Sequence, residues 1–159
     1  MSATPLGANE AQKEPAARKK IGEALIKGGK IQAYCKGVCY DTAAYTAYML
    51  GSTRIKSNDL AKSGEQWLSV FKFKDAPAWD GKKNFKKGQV IGFWRKQGNK
   101  VFHAAIATGV GANIRGVNGF KLSPGWNTTV DLKKLLGTPD SDGCFDYDRA
   151  KIKVHISKV

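Results

Sequence analysis

The segment that most constrains the fold of this chain runs from Cys39 to Gly51. Its apolar residues recur at helical spacing over a broad face, and glycine readily takes the left-handed conformation that ends a helix. The segment therefore predicts a largely buried helix that carries Cys39 in its first turn and stops at Gly51. A helix N-terminus lowers the pKa of a thiol, so the position suits a reactive cysteine.

The remaining pattern predicts helices first and strands afterwards. Two further helices are expected at 18–27 and 57–71, and a short one at 130–136. A polar loop over 75–87 and an acidic loop over 138–148 separate these elements. The predicted strands occupy 88–94, 101–108, 114–122 and, as a final edge strand, 150–159. Helices followed by an antiparallel meander form an α+β fold.

A histidine lies on the second predicted strand. Alternation places residues 101, 103 and 105 on one face, and an imidazole buried there without a partner costs about 1–3 kcal/mol. Because an imidazole can activate a thiol, we predict Cys39 as nucleophile and His103 as general base. Cys35, ahead of the helix, and His155, expected at the surface, are the alternatives.

Length and composition predict one domain. The chain has 159 residues, of which 42% are hydrophobic. Residues 1–17 are rich in small and polar residues and are expected to form a flexible leader before a domain over 18–159. No apolar run reaches the ~18 residues of a membrane span. The N-terminus lacks a signal-peptide core, so we expect secretion by a leaderless route or release from a larger protein.

The charge is strongly basic. There are 27 Lys and Arg against 13 Asp and Glu, a formal net charge of +14. This predicts either a solvated face or an anionic partner, such as nucleic acid, a cell-wall polymer, a membrane surface or an acidic inhibitor protein. The densest basic cluster consists of Lys82, Lys83, Lys86, Lys87, Arg95, Lys96 and Lys100. The 3 cysteines lack metal-ligand spacing, and a reduced chain without metal or other cofactor is expected, with a short-loop Cys35–Cys39 disulfide as the alternative.

Residues about 30–122 resemble the NlpC-like family of papain-fold peptidases and amidases. In that family a helix begins at a cysteine and closes at a glycine, as from Cys39 to Gly51. Its next motifs, Gly-Asp-Leu-Val-Phe-Phe and His-Val-Gly-Ile-Tyr-Leu-Gly, are similar to the segments that begin at Gly88 and His103. The chain departs from the family at Val38 and after Cys39. It also looks like the papain-fold toxin domains of bacterial secreted toxins and effectors.

The resemblance implies a papain-like cysteine hydrolase, monomeric, that attacks an amide in a protein, a peptidoglycan peptide or a glutamine side chain. The family's third polar residue, which orients the imidazole, corresponds to Asn118, with Asp131 and Asn127 as alternatives. Gln32 or Tyr34 is the corresponding upstream oxyanion residue. Two other hypotheses remain open: a small basic nucleic-acid-binding protein or RNase toxin, and a papain-fold binding module without activity.

Overall fold

The computed structural model describes residues 14–35 and 37–159, and these form a mixed α+β fold. The predicted leader lies largely in 1–13, outside the described residues. The helices are α1 (Pro15–Ile26), α2 (Cys39–Met49), α3 (Leu68–Phe71) and α4 (Leu132–Leu136). The strands are β1 (Val90–Arg95), β2 (Lys100–Ala107), β3 (Asn113–Arg115), β4 (Val130–Asp131), β5 (Phe145–Tyr147) and β6 (Ala150–Ile156).

The strands form one curled antiparallel sheet in the order β4-β3-β2-β1-β6-β5. Strands β1, β2 and β3 make the meander that the sequence predicts, whereas β4 lies at the start of the predicted helix over 130–136 and β5 lies in the predicted acidic loop over 138–148. The prediction that the last strand is an edge strand is wrong, because β6 pairs with β1 on one side and with β5 on the other. No helix in the described part of the chain is long and apolar enough to cross a membrane.

Two apolar clusters cover the two faces of the sheet. The first contains α2, the end of α1, Ala104 and Ile106. The second contains Phe93 and Ala105, together with α4 and the buried loop residue Trp79. Since adjacent residues of a strand point to opposite faces, each residue of β2 is assigned to one cluster or the other. The first of these faces is called the helix face below.

Helix α2 matches its prediction. Every residue from Cys39 to Met49 is buried, and Gly51 ends the helix with a φ of +102°. At the other end, the backbone amide of Val38 donates to the Asp41 carboxylate at 2.8 Å. This side chain satisfies an amide that the first turn leaves without a partner, which fixes where the helix begins.

Other boundaries differ from prediction. Helix α1 begins at Pro15, within the predicted leader, because proline is favoured at a first helical position. The helix predicted over 57–71 is wrong: the segment consists of two 3₁₀ turns and the short α3, and extended backbone at Lys62 and Ser63 separates the two turns. The strand predicted over 114–122 ends at Arg115, and the chain then turns through positive φ at Asn118 and Phe120.

A β-bulge lies in the β1–β2 hairpin. Phe93 pairs with His103 but its neighbour Trp94 pairs with Val101, so Phe102 is the extra residue. Val101 packs against the helix-face cluster, whereas His103 contacts Phe93 of the other cluster. The prediction that 101, 103 and 105 share a face is therefore wrong at 101.

Helix α1 is fastened to the sheet by residues much later in the chain. The Arg115 guanidinium donates to the carbonyls of Ile26 at 3.0 Å and Trp126 at 2.6 Å. The Trp126 indole donates to the Leu25 carbonyl at 3.0 Å. These donors satisfy carbonyls at the C-terminal end of α1, so the helix is held by hydrogen bonds as well as by apolar packing.

Candidate functional site

Cys39 is the first residue of α2, as expected for a nucleophile, but its thiol is only 6% exposed. Burial raises the pKa of the Cys39 thiol, although hydrogen bonds from the backbone amides of Ala104 and Tyr40 oppose the shift. The buried carboxylate of Asp41 raises it further. The effect of burial on the pKa of the thiol therefore exceeds that of the helix N-terminus, and the thiol is protonated at neutral pH.

Asp41 holds two elements together next to this thiol. One carboxylate oxygen accepts from the Val38 amide, and the other accepts from the Gly64 amide at 3.1 Å and the Trp67 indole at 3.2 Å. Asp41 thus joins the start of α2 to the 3₁₀ turn before α3. Its contacts are structural, and they turn the carboxylate to the protein rather than to solvent.

His103 is 1% exposed. Its Nε2 atom is hydrogen-bonded to Ser123 Oγ at 2.8 Å, and its ring lies 5.3 Å from the ring of Phe93. Its Nδ1 atom is buried and has no hydrogen-bond partner among the described residues. Burial lowers the pKa of the imidazole to about 4, so the ring is neutral at pH 7.

The structure does not bring Cys39 and His103 together. The thiol lies beside the backbone of Ala104, on the helix face, while the imidazole of the preceding residue projects from the other face. Neither ring nitrogen of His103 makes a hydrogen bond to the thiol. Nε2 is hydrogen-bonded to Ser123, and Nδ1 has no partner among the described residues. The position opposite the thiol is occupied by alanine.

Asn118 and His103 line the same cavity, but Asn118 is not the partner of the imidazole. Ser123 has that role, although nothing in the pattern around Leu122-Ser123-Pro124 marks it in the sequence. The alternatives are also placed elsewhere. Asp131 caps α4 by accepting from the Lys133 amide at 3.0 Å, and Asn127 is exposed.

The remaining candidates lie apart from the thiol. Cys35 is buried and unpaired, and burial raises the pKa of its thiol to about 11; none of the chain's cysteines, all of them described, forms a disulfide. His155 is on the helix face of β6 and donates from Nδ1 to the Ala76 carbonyl at 3.1 Å. Gln32 is exposed, and Tyr34 stacks on the ring of Tyr45.

One concave surface of the molecule is basic. Three adjoining cavities of about 590, 560 and 470 Å³ share lining residues and form what we call the basic groove. Its cationic side chains are Arg54, Lys56, Lys72, Lys74, Lys100, Lys153 and Lys158. Only Asp59, which is paired with Lys62, and Asp75 oppose them in the lining.

An indole lies at one end of the basic groove. Trp94 is half-buried, and its Nε1 donates to Asn99 Oδ1 at 2.8 Å, which fixes the ring. The ammonium of Lys153 lies 5.7 Å from the indole centroid. His155 lines the same end. A held aromatic ring among cations suits a ligand that has both negative charge and flat rings.

Only part of the predicted lysine cluster lines the basic groove. Lys100 lines the basic groove and also pairs with Glu65 at 3.3 Å, whereas Lys87 pairs with Glu23 at 2.7 Å outside the groove. The groove is built from separate segments, and alternation such as Lys72-Phe73-Lys74 is the signal that points to it. Among the described residues, no group of three or more His, Cys, Asp or Glu side chains could hold a metal ion.

Neither a scan against models of protein families nor a search of curated proteins gives a match for this chain.

Proposed function

We propose that this protein binds single-stranded nucleic acid along the basic groove. The observation that carries the proposal is the groove itself, where cations from separate segments line three cavities that share lining residues, one of them lined by Trp94. Phosphate neutralisation by Lys and Arg supplies most of the affinity of such proteins, and base stacking on aromatic rings supplies more. The overall charge of +14 adds long-range attraction.

The proposal concerns binding rather than cleavage. A ribonuclease that works through two histidines needs them on either side of one phosphate. Here His155 lies on the helix face, whereas His103 is buried on the other face of the sheet. The two histidines of the chain therefore do not form such a pair.

The test is fluorescence anisotropy with a labelled oligonucleotide of about 16 nucleotides, over roughly 50 to 200 mM salt. The variant carries Lys72→Gln, Lys74→Gln and Lys153→Gln. Each lost phosphate contact lowers the slope of log K against log salt by about 0.7 for a single strand, so the slope falls by about 2. The matched control, Lys82→Gln, Lys83→Gln and Lys86→Gln, removes the same charge outside the groove.

Two results would overturn the proposal. One is an equal loss of affinity in the groove variant and its control, which would mean non-specific attraction to a basic surface. The other is equal binding of polyglutamate at matched charge, which would make the groove a site for acidic polypeptides. We expect the control to keep the wild-type slope and polyglutamate to bind at least about tenfold more weakly, because it has no bases to stack.

A papain-like cysteine hydrolase is the second candidate. Cys39 opens α2, its sulfur lies beside the backbone amide that follows His103, and the Nδ1 atom of that histidine is without a described partner. Attack on an amide carbonyl by the thiolate requires the imidazole to reach the sulfur. In this hypothesis the protein is a delivered toxin or effector, and the substrate amide is a peptide bond, a peptidoglycan cross-link or a glutamine side chain.

The two candidates are separated by Cys39→Ala and His103→Ala. The hydrolase hypothesis expects both variants to lose amide hydrolysis of casein, peptidoglycan peptides and glutamine-containing peptides, with wild-type activity blocked by iodoacetamide. Wild-type protein without such activity would refute it. Nucleic-acid binding is expected to be unchanged in Cys39→Ala, since the thiol is buried outside the groove.

A further inference from the structure

A second cavity, of about 240 Å³, opens on the face of the sheet opposite to α2. Its lining includes Arg95, Phe102, His103, Asn118, Phe120 and Tyr147. We call it the His103 cavity. It is smaller than the roughly 300–1,000 Å³ of pockets for drug-sized ligands, so it suits a single ring system.

Phe120 is held at this cavity in an unfavourable way. Its side chain is 64% exposed, and its backbone has a φ of +52°, which a bulky residue rarely adopts. The φ of Phe120 belongs to a tight turn in which Gly119 and Ser123 exchange backbone hydrogen bonds at 3.1 and 3.3 Å, and glycine or asparagine is the usual residue at such a position. Strained, exposed aromatic residues of this kind are concentrated at binding sites.

One residue of the cavity lining has a polar atom without a partner among the described residues. His103 lines the cavity, and the Nδ1 atom of His103 is buried and unbonded within the described part of the chain. A Cβ on Gly119 would lie 2.5 Å from Nε2 and Cε1 of the imidazole, so only glycine lets this loop approach the ring. The Tyr147 hydroxyl donates to the Gly119 carbonyl at 3.4 Å, which links the end of β5 to the loop that contains Gly119.

We propose that the His103 cavity binds a nucleobase. The aromatic rings of Phe102, Phe120 and Tyr147 provide surfaces for a flat heterocycle, and the His103 imidazole and the Asn118 amide provide hydrogen bonds for its edge. Unstacked bases are recognised by this combination, and asparagine pairs well with the donor and acceptor of adenine. Arg95 in the lining and Lys121 beside it, whose ammonium lies 5.7 Å from the Phe120 ring, supply positive charge for the attached phosphate and outnumber the lining carboxylate of Asp148.

This site is separate from the basic groove, and its test uses mononucleotides. Adenosine 5′-monophosphate, adenosine and ribose 5-phosphate are titrated into the ¹⁵N-labelled protein, and the ring nitrogens of His103 are followed by NMR together with calorimetry. We expect saturable binding of the two ligands that carry a base and a shift of the Nδ1 resonance. Equal binding of ribose 5-phosphate, or an unmoved Nδ1 resonance, would overturn the proposal.

The diagnostic variant is Phe120→Asn, which removes the ring and keeps a residue that tolerates positive φ. We expect it to weaken nucleotide binding by roughly five- to 150-fold, the effect of losing one base–aromatic stack. Val110→Asn is the matched control, because Val110 is also an apolar side chain, 67% exposed, outside the cavity lining. Equal affinity in wild type and Phe120→Asn would refute the site.

The two proposals fail separately. Loss of oligonucleotide binding in the Lys72, Lys74 and Lys153 variant with normal mononucleotide binding supports both sites. Mononucleotide binding in a protein that binds no oligonucleotide would refute the groove alone. Oligonucleotide binding by the groove without any mononucleotide affinity would refute the cavity alone.

Discussion

Replacement of Asp41 by alanine is expected to destabilise the fold by about 4 kcal/mol. The carboxylate is buried and accepts hydrogen bonds from Val38, Gly64 and Trp67. Loss of a helix cap costs about 1 kcal/mol, and loss of a hydrogen bond to a charged acceptor costs about 1.5. The Val38 and Gly64 amides are partly accessible to water, but the Trp67 indole is not, and an unsatisfied buried donor costs about 1–3 kcal/mol.

The assay is urea unfolding followed by far-ultraviolet circular dichroism, with the free energy of unfolding extrapolated to water. The control is Asp75→Ala, an exposed acid, for which a change under about 0.5 kcal/mol is expected. Trp67→Phe keeps the ring and removes the donor, so the cost of Asp41→Ala in that background should fall by about 1–2 kcal/mol. If Asp41→Ala lowers the free energy of unfolding as much in the Trp67→Phe background as in the wild type, the hydrogen bond from the indole does not contribute as argued. Equal effects of Asp41→Ala and Asp75→Ala would contradict the prediction as well.

Three further predictions concern the sheet and its buried groups. Burial lowers the pKa of His103 to about 4, below the ~6.5 of the unfolded chain, so unfolding takes up a proton between these values. The free energy of unfolding is then highest above about pH 6.5 and falls by about 3 kcal/mol as the pH decreases to 4. His103→Gln should lack this decrease when urea unfolding is measured at a series of pH values. An equal decrease in the free energy of unfolding of wild type and variant would contradict the prediction. Iodoacetamide should modify Cys39 at least about tenfold more slowly in the folded than in the unfolded protein, because the thiol is buried and its pKa is raised. The rate is measured by mass spectrometry of the peptide that contains Cys39, and comparable rates in the two states would contradict the burial. Gly92→Ala would place a Cβ 2.5 Å from the ring of Phe73 and should cost about 1–3 kcal/mol in urea unfolding, whereas Gly125→Ala, with its nearest atom at 3.3 Å, should cost less; equal costs would argue against this contact.

Helix α2 was predictable because its signals are local. The apolar spacing and Gly51 are sufficient to place it, and they predict the position of Cys39 in the first turn. The histidine strand was also predictable, with its boundaries shifted by only one residue at either end. What stayed hidden was the orientation of neighbouring side chains, because the bulge at Phe102 depends on pairing with β1.

The site residues show the same limit. A resemblance in order and spacing names Cys39 and His103, yet which face of a strand a side chain takes is set by packing across the sheet. Alanine at 104 fills the place beside the thiol, and Ser123 replaces Asn118 as the partner of the imidazole. The basic groove was equally hidden, since its cations come from distant segments and a count of lysines along the chain cannot show that they converge.

The fastening of α1 has a consequence for how this chain reaches its native state. The bonds from Arg115 and Trp126 to the end of that helix span 89 and 101 residues of sequence. During synthesis the helix can form early. Its hydrogen-bond donors Arg115 and Trp126 are absent until most of the polypeptide has left the ribosome, so the apolar side of the helix stays exposed to solvent for that time. Among the described helices, the first to be made is thus among the last to dock.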